Sequence, residues 1–312
     1  MNNNNLQTVV TKIPSFLFIG TGKAGSTSLY HYLNEHPEIF MSPIKETNFF
    51  SYEGGRPDFA GPGDLASLAH KTTITTIEKY LDNFQGVTDE QAIGEVSPSY
   101  LYVPQAPQRI KKYLPDVKMI VILRNPVDRA YSNFQHRMNL GVEPLTDFSE
   151  AITAEKTRIA NNWAPTWHYL KQGFYYEQLQ RYFDLFDSSQ FKIYLFEDWL
   201  SDKLGLIRDL FEFIEVDPDF TPNMITKYNI SGKPKSELLN SFLAQKNPIK
   251  TALKKILPQK ICSQLSASAQ TKNLQKLPSL SADVRQQLNQ IYQPDILKLQ
   301  KLINRDLSSW LT

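Results

Sequence analysis

The feature that most constrains this chain is Phe16-Leu17-Phe18-Ile19, an unbroken apolar run that ends at Gly20 and opens into a small-residue loop. A run of this kind suits a strand buried on both faces of a parallel sheet. The loop, Thr21 to Ser28, carries one lysine, Lys23, and Leu29, Tyr30 and Leu33 then recur with helical spacing. A helix to about His36 is expected, because Pro37 stops it. Strand, glycine loop and helix in this order make a phosphate-binding arrangement: the glycines let backbone amides approach an anion, and the helix terminus adds positive potential. A Walker A loop needs lysine directly after its last glycine, whereas Lys23 stands two positions before Gly25, so the nucleotide triphosphatase pattern fails. A dinucleotide fingerprint is matched in part, at Gly22 and Gly25, and ranks lower. Taken alone, the loop is also compatible with a glycine-rich turn that holds no ligand.

A second buried strand, Met119-Ile120-Val121-Ile122-Leu123, ends in Arg124-Asn125-Pro126. Pro126 fits the first turn of a helix, where its missing N–H costs nothing. An arginine at the end of a buried parallel strand is expensive unless it meets an anion, and Ser132 follows about two helical turns later. Two anion sites at the carboxyl ends of two strands imply a ligand with phosphates at both ends. Elsewhere the pattern predicts helices over Ile74–Phe84, Pro104–Leu114, Gly173–Phe186, Leu204–Ile214 and Val284–Ile303. Strands are expected over Ala92–Glu95 and Phe191–Phe196, with Trp310 as a packing anchor. Strands alternating with helices give an α/β fold with a central parallel sheet flanked by helices.

The chain has 312 residues, enough for one large domain, and a single domain over residues 13–312 is expected behind a frayed tail at 1–12. Lysine and arginine number 34 against 32 acids, a balance without the clustered basic footprint of a nucleic-acid binder. The one cysteine, Cys262, excludes an internal disulfide, and there is no CxxC pair for zinc. Neither a secretory signal nor an apolar run of about 18 residues is found, so a soluble, cytoplasmic protein is expected. Residues 238–282 contain seven lysines and no acid. They read as a lid-like, acceptor-facing insertion that steers an anion or touches a membrane surface, or as a solvated cover over the sheet.

TGKAGSTSL followed by VILRNPVDRAYSNFQH resembles the two cofactor signatures of sulfotransferases that use 3′-phosphoadenosine 5′-phosphosulfate (PAPS). The resemblance is closest to the glycosaminoglycan-type branch, the heparan sulfate N- and O-sulfotransferases. It extends to HPEIFMSPIKETNFF, GEVSPSYL, the Gly173-Phe174-Tyr175 helix start and IYQPDILKLQKLINRDLSSWL. It implies a P-loop-like sulfotransferase fold. Lys23, Ala24, Gly25, Ser26, Thr27 and Ser28 would then hold the 5′-phosphosulfate, and Arg124 and Ser132 the 3′-phosphate. Ser231, Gly232, Lys233 and Lys235 resemble a third loop that closes over the nucleotide.

The same resemblance makes Glu46 the base, in a loop where Phe49 and Phe50 are expected to shield it. Without the family, Glu46 reads as a surface-paired or capping acid. Lys23 would assist the leaving phosphate. His136, one turn after Ser132, would face the active site, with a backbone-satisfied structural histidine as the alternative. No metal is required. The implied reaction moves a sulfuryl group to a hydroxyl or amine of a carbohydrate or small metabolite and releases adenosine 3′,5′-bisphosphate. A nucleotide or sugar kinase and a non-catalytic binding module are the rival classes. Val96 stands where the branch typically has lysine, and Asn133 where its N-sulfotransferases have tryptophan.

Overall fold

The computed structural model of the chain describes residues 12–224 and 279–312, together with the backbone of 233–234 and 274–275. Five strands form one sheet: β1 (Phe16–Gly20), β2 (Ile39–Met41), β3 (Ala92–Val96), β4 (Lys118–Leu123) and β5 (Phe191–Leu195). They lie in the order β2-β3-β1-β4-β5 and every neighbouring pair is parallel. The α/β architecture with a central parallel sheet is therefore as the sequence indicates.

The apolar runs fill both faces of the sheet by simple alternation. Leu17, Ile19, Met119, Val121 and Leu123 belong to one core, while Phe16, Phe18, Ile120 and Ile122 belong to the other. The first core is covered by the helices Ala106–Tyr113, Pro126–Asn139, Tyr175–Phe183 and Ala282–Ile303. Ser26–Leu33 and Lys203–Phe213 cover the second. Trp310 is fully buried in the first core, which ties the end of the chain to the sheet.

Several boundaries differ from the sequence pattern for identifiable reasons. Phe196 does not extend β5; it opens the helix Phe196–Ser201, because the Asp198 carboxylate accepts from Leu195 N–H at 2.9 Å. The expected helix at Ile74–Phe84 contracts to Ile77–Asp82. The helix expected from Gly173 begins at Tyr175, where Asp295 of the last helix caps it, accepting from the N–H groups of Tyr175 and Tyr176 at 2.9 and 3.3 Å. The strand β2 has no counterpart in the sequence pattern.

The strand order fixes where a ligand can sit. From β1 the chain moves to one side through β2 and β3, then crosses to the other side for β4 and β5. The loops leaving the carboxyl ends of β1 and β4 consequently diverge, and the crevice between them is the binding position of an open parallel sheet. Among the described residues no helix is long and apolar enough to cross a membrane.

Packing under the sheet is tight at Gly94 in β3, where an added Cβ would stand 2.1 Å from Phe16 Cζ and 2.7 Å from Met41 Sδ. Gly94→Ala should therefore destabilise the protein by about 1–3 kcal/mol through overpacking. Denaturant unfolding measures this, and an unchanged midpoint with unchanged slope would contradict it.

Candidate active site

The loop after β1 is shaped by two left-handed residues, Lys23 at φ 71° and Gly25 at φ 92°. Gly25 is the residue before the helix Ser26–Leu33, and its left-handed backbone, rather than any lack of space, favours glycine there. The first N–H groups of that helix lack intrahelical acceptors and face the end of the loop, as an anion site requires.

The loop after β4 is organised by its RNP sequence. The Asn125 side chain accepts from Val127 N–H at 2.9 Å and Asp128 N–H at 3.4 Å, and Pro126 occupies the first turn of Pro126–Asn139. Arg124 is left pointing back toward β1. Its Nη1 donates to the Lys23 carbonyl at 2.9 Å, and its guanidinium lies 4.8 Å from the Phe196 ring centre. Its own carbonyl accepts from Tyr175 O–H at 2.9 Å. The two strand-end loops are thus physically joined.

Charge converges at this junction. Burial lowers the Lys23 pKa to about 8, helped by Arg124, Arg129 and Lys45 and opposed by Glu46. His136 is open to solvent, yet crowding by the surrounding protein, then the charges of Lys23 and Arg137, hold its pKa down to about 4. Its imidazole is consequently neutral at pH 7. Ser132, half-buried, sits one turn earlier on the same helix face. The structure therefore brings Lys23, Glu46, Arg124 and His136 into one electrostatic neighbourhood.

Glu46 departs from its expected surroundings. Phe49 and Phe50 do not shield it; both are fully buried, with Phe49 stacked on Tyr80 at 4.6 Å and Phe50 edge-on to Tyr100 at 5.3 Å. Glu46 instead pairs with Lys45, and its side chain remains 35% exposed. Its backbone N–H donates to the Val96 carbonyl at 2.9 Å, which anchors the loop to the end of β3.

Arg129 is a component that sequence reasoning missed. It is fully buried, donates to the Tyr169 carbonyl and to Gln172 Oε1, and its Nε has no partner among the described residues. Nothing in its spacing announced it, because its partners Tyr169 and Gln172 come from a distant segment. Lys45 and the aromatic support of Phe196 and Trp199 were also missed, because nothing in their spacing marks them. A cluster of four cations, an orphaned guanidinium N–H and one nearby carboxylate fits a polyanionic ligand. By contrast, the cleft beside Pro14, Pro115 and Lys118 at the amino end of the sheet has its lysine paired with Glu215.

Ser231, Gly232 and Lys235 lie outside the described residues, as does nearly all of the lysine-rich stretch. The backbone of Lys233–Pro234 pairs antiparallel with Leu274–Gln275. Among the described residues no group of three or more His, Cys, Asp or Glu is placed to hold a metal ion.

Anion binding favours the charged form of Lys23, so affinity for an anionic ligand at this loop, with adenosine 3′,5′-bisphosphate as the probe, should fall as pH rises through about 8. Calorimetry between neutral pH and pH ~9.5 should show a loss of roughly tenfold, absent in Lys23→Met. A flat profile in the unaltered protein would contradict this charge assignment.

Comparison with known proteins shows the family. The family described as "Sulfotransferase domain" matches residues 14–249. A sulfotransferase of known structure from Alicyclobacillus acidocaldarius is 31% identical, with a TM-score of 0.75 over 96% of this chain and 100% of that one. The mouse bifunctional heparan sulfate N-deacetylase/N-sulfotransferase 4 is 29% identical over 96% of this chain and 31% of its own length. The human heparan sulfate glucosamine 3-O-sulfotransferase 3B1 is 27% identical over 65% of this chain and 46% of its own. The chain thus spans between 31% and 46% of the length of these two relatives. With the family match running through both charged loops and the sheet between them, the chain belongs to the sulfotransferase domain family.

Proposed function

We propose that the protein transfers a sulfuryl group from PAPS to a hydroxyl or amine of a carbohydrate and releases adenosine 3′,5′-bisphosphate. The observation that carries this reading is the convergence of Lys23, Arg124 and Glu46 at the crevice between β1 and β4. Relatives named for heparan sulfate support a carbohydrate over a small metabolite. The lone Cys262 supports a cytoplasmic setting.

The bound donor supplies an activated sulfuryl group attached to phosphate, and the protein's task is positioning and charge stabilisation. Amides and hydroxyls from Gly25 to Ser28 hold the 5′ end, with Ala24 keeping the loop small. Arg124 and Ser132 hold the 3′-phosphate. Lys23, charged at neutral pH, stabilises the phosphate oxygen that gains negative charge as its bond to sulfur breaks. Glu46 takes the proton from the acceptor as the new bond to sulfur forms. His136, neutral at the same pH, is suited to orient the acceptor by hydrogen bonding. Ser231, Gly232, Lys233 and Lys235 are proposed to close over the nucleotide, and the stretch 238–282 to face the acceptor, within a single domain. A kinase is disfavoured by the position of Lys23, and a non-catalytic module by the presence of Glu46 beside it.

Labelled donor with N-desulfated heparan sulfate oligosaccharides as the probe acceptor tests this directly. Label should pass to the oligosaccharide. Glu46→Gln should reduce turnover by about 10²-fold or more while leaving adenosine 3′,5′-bisphosphate affinity within about twofold. Full turnover in that variant would remove Glu46 from the role of base.

A further inference from the structure

Glu95 is the buried acid that the mechanism leaves unused. It lies in β3 opposite Leu17, with no exposed surface. Burying a carboxylate is costly, and here the cost is met by hydroxyl groups alone. Thr47 Oγ1 donates to Oε1 at 2.7 Å and Ser97 Oγ donates to the same oxygen. Tyr80 O–H reaches Oε2 at 3.1 Å, and Tyr100 O–H lies 3.0 and 2.9 Å from the two oxygens. Burial raises the Glu95 pKa, and these four hydroxyls, rather than any cation, oppose that rise.

The donors come from three separate segments, and one of them carries Glu46. Thr47 stands between two left-handed non-glycine residues, Glu46 at φ 63° and Asn48 at φ 52°. Each such conformation costs on the order of 1 kcal/mol or more and persists only where its surroundings over-determine it. The surroundings here do so. Asn48 N–H donates to Ser97 Oγ at 3.1 Å, which directs the Ser97 proton toward Glu95. Ser99 Oγ donates to Asn48 Oδ1 at 2.6 Å, and the Thr47 carbonyl accepts from Ile74 N–H at 2.9 Å. Every bond that Glu95 makes to Thr47 or Ser97 therefore bears on the loop that presents the Glu46 carboxylate.

We propose that Glu95 is a positioning residue, which holds Glu46 in place for proton transfer by anchoring Thr47 from beneath. The inference rests on Glu46 being the base. Loss of the anchor leaves the donor crevice intact, because Lys23 and Arg124 are fixed by different bonds. The effect therefore belongs in turnover, not in nucleotide binding.

The test uses the full chain, labelled donor and N-desulfated heparan sulfate oligosaccharides. Thr47→Val, which keeps the shape but removes the hydroxyl, should lower kcat by about 10- to 100-fold. The donor KM and the affinity for adenosine 3′,5′-bisphosphate should stay within about twofold. Thr47→Ser, which restores the hydroxyl, should recover most of the loss. Glu95→Gln should behave as Thr47→Val does, and if it fails to fold, the Thr47 pair decides the question. In a Glu46→Gln background Thr47→Val should have almost no further effect on kcat, since a group acting through Glu46 has nothing left to act on. An equal loss in both backgrounds, or an unchanged kcat in Thr47→Val, overturns the inference while leaving the base intact. Full turnover in Glu46→Gln alone overturns the base assignment, and the inference with it.

Discussion

The hydrogen bond from Arg124 Nη1 to the Lys23 carbonyl joins two loops 101 residues apart in sequence, and the site depends on that junction. Parallel strands that exit a sheet at its switch point leave their loops diverging. Something must draw the loops together for one ligand to touch both. Arg124 does so without using up its charge, because a carbonyl is a neutral acceptor. The guanidinium stays positive against Phe196, and the Lys23 ammonium is crowded by it. The crevice therefore holds like charges near one another in the free protein, a strain that an anion relieves on binding. An electropositive pocket assembled this way is prepared for a polyanion before it arrives.

The helix that follows β4 is held by buried polar networks instead. Arg137, next to His136, lies 3.9 Å from the Trp167 ring centre. Trp167 Nε1 and Ala164 N–H donate to the buried Asp64 at 2.8 and 2.9 Å. Nearby, Arg158 and Glu143 form a pair with almost no exposed surface, joined by Tyr169 O–H. Arg137, on the helix Pro126–Asn139, also pairs with Asp64 at 3.5 Å, with both side chains nearly buried. Breaking such a pair would leave an uncompensated buried charge, so the helix is held strongly in one arrangement. That helix carries Ser132 and His136, and its rigidity sets where both side chains stand. Together with the Glu95 cluster, these networks tie down the segments that carry Glu46, Ser132 and His136.

Much of this was legible in the sequence, and the exceptions have physical causes. The runs Phe16–Ile19 and Met119–Leu123 declared themselves because a strand buried on both faces needs no alternation. The loop ends carrying Lys23 and Arg124 followed from those strands. The three-residue strand β2, Ile39–Met41, is too short for any periodicity to mark it. Phe196 continued the apolar pattern of β5, but one side-chain bond from Asp198 turned the chain into a helix. The Phe49-Phe50 pair looked like a cover for Glu46, whereas left-handed backbone at Glu46 and Asn48 sends those rings into the core. Arg129 and Glu95 were illegible for a shared reason. Their meaning lies in burial and in partners from distant segments, and a charged letter in a strand or helix reveals neither.

On this reading the crevice between β1 and β4 receives an anion at each end of one nucleotide. Calorimetry comparing adenosine 3′,5′-bisphosphate with 5′-AMP tests it most directly. If Arg124 and Ser132 hold the 3′-phosphate as proposed, removing it takes away a charge-assisted contact worth about 1.5–3 kcal/mol. A preference of roughly ten- to hundredfold for the bisphosphate is expected, lost in Arg124→Met. Equal affinity for the two nucleotides in the unaltered protein would contradict it.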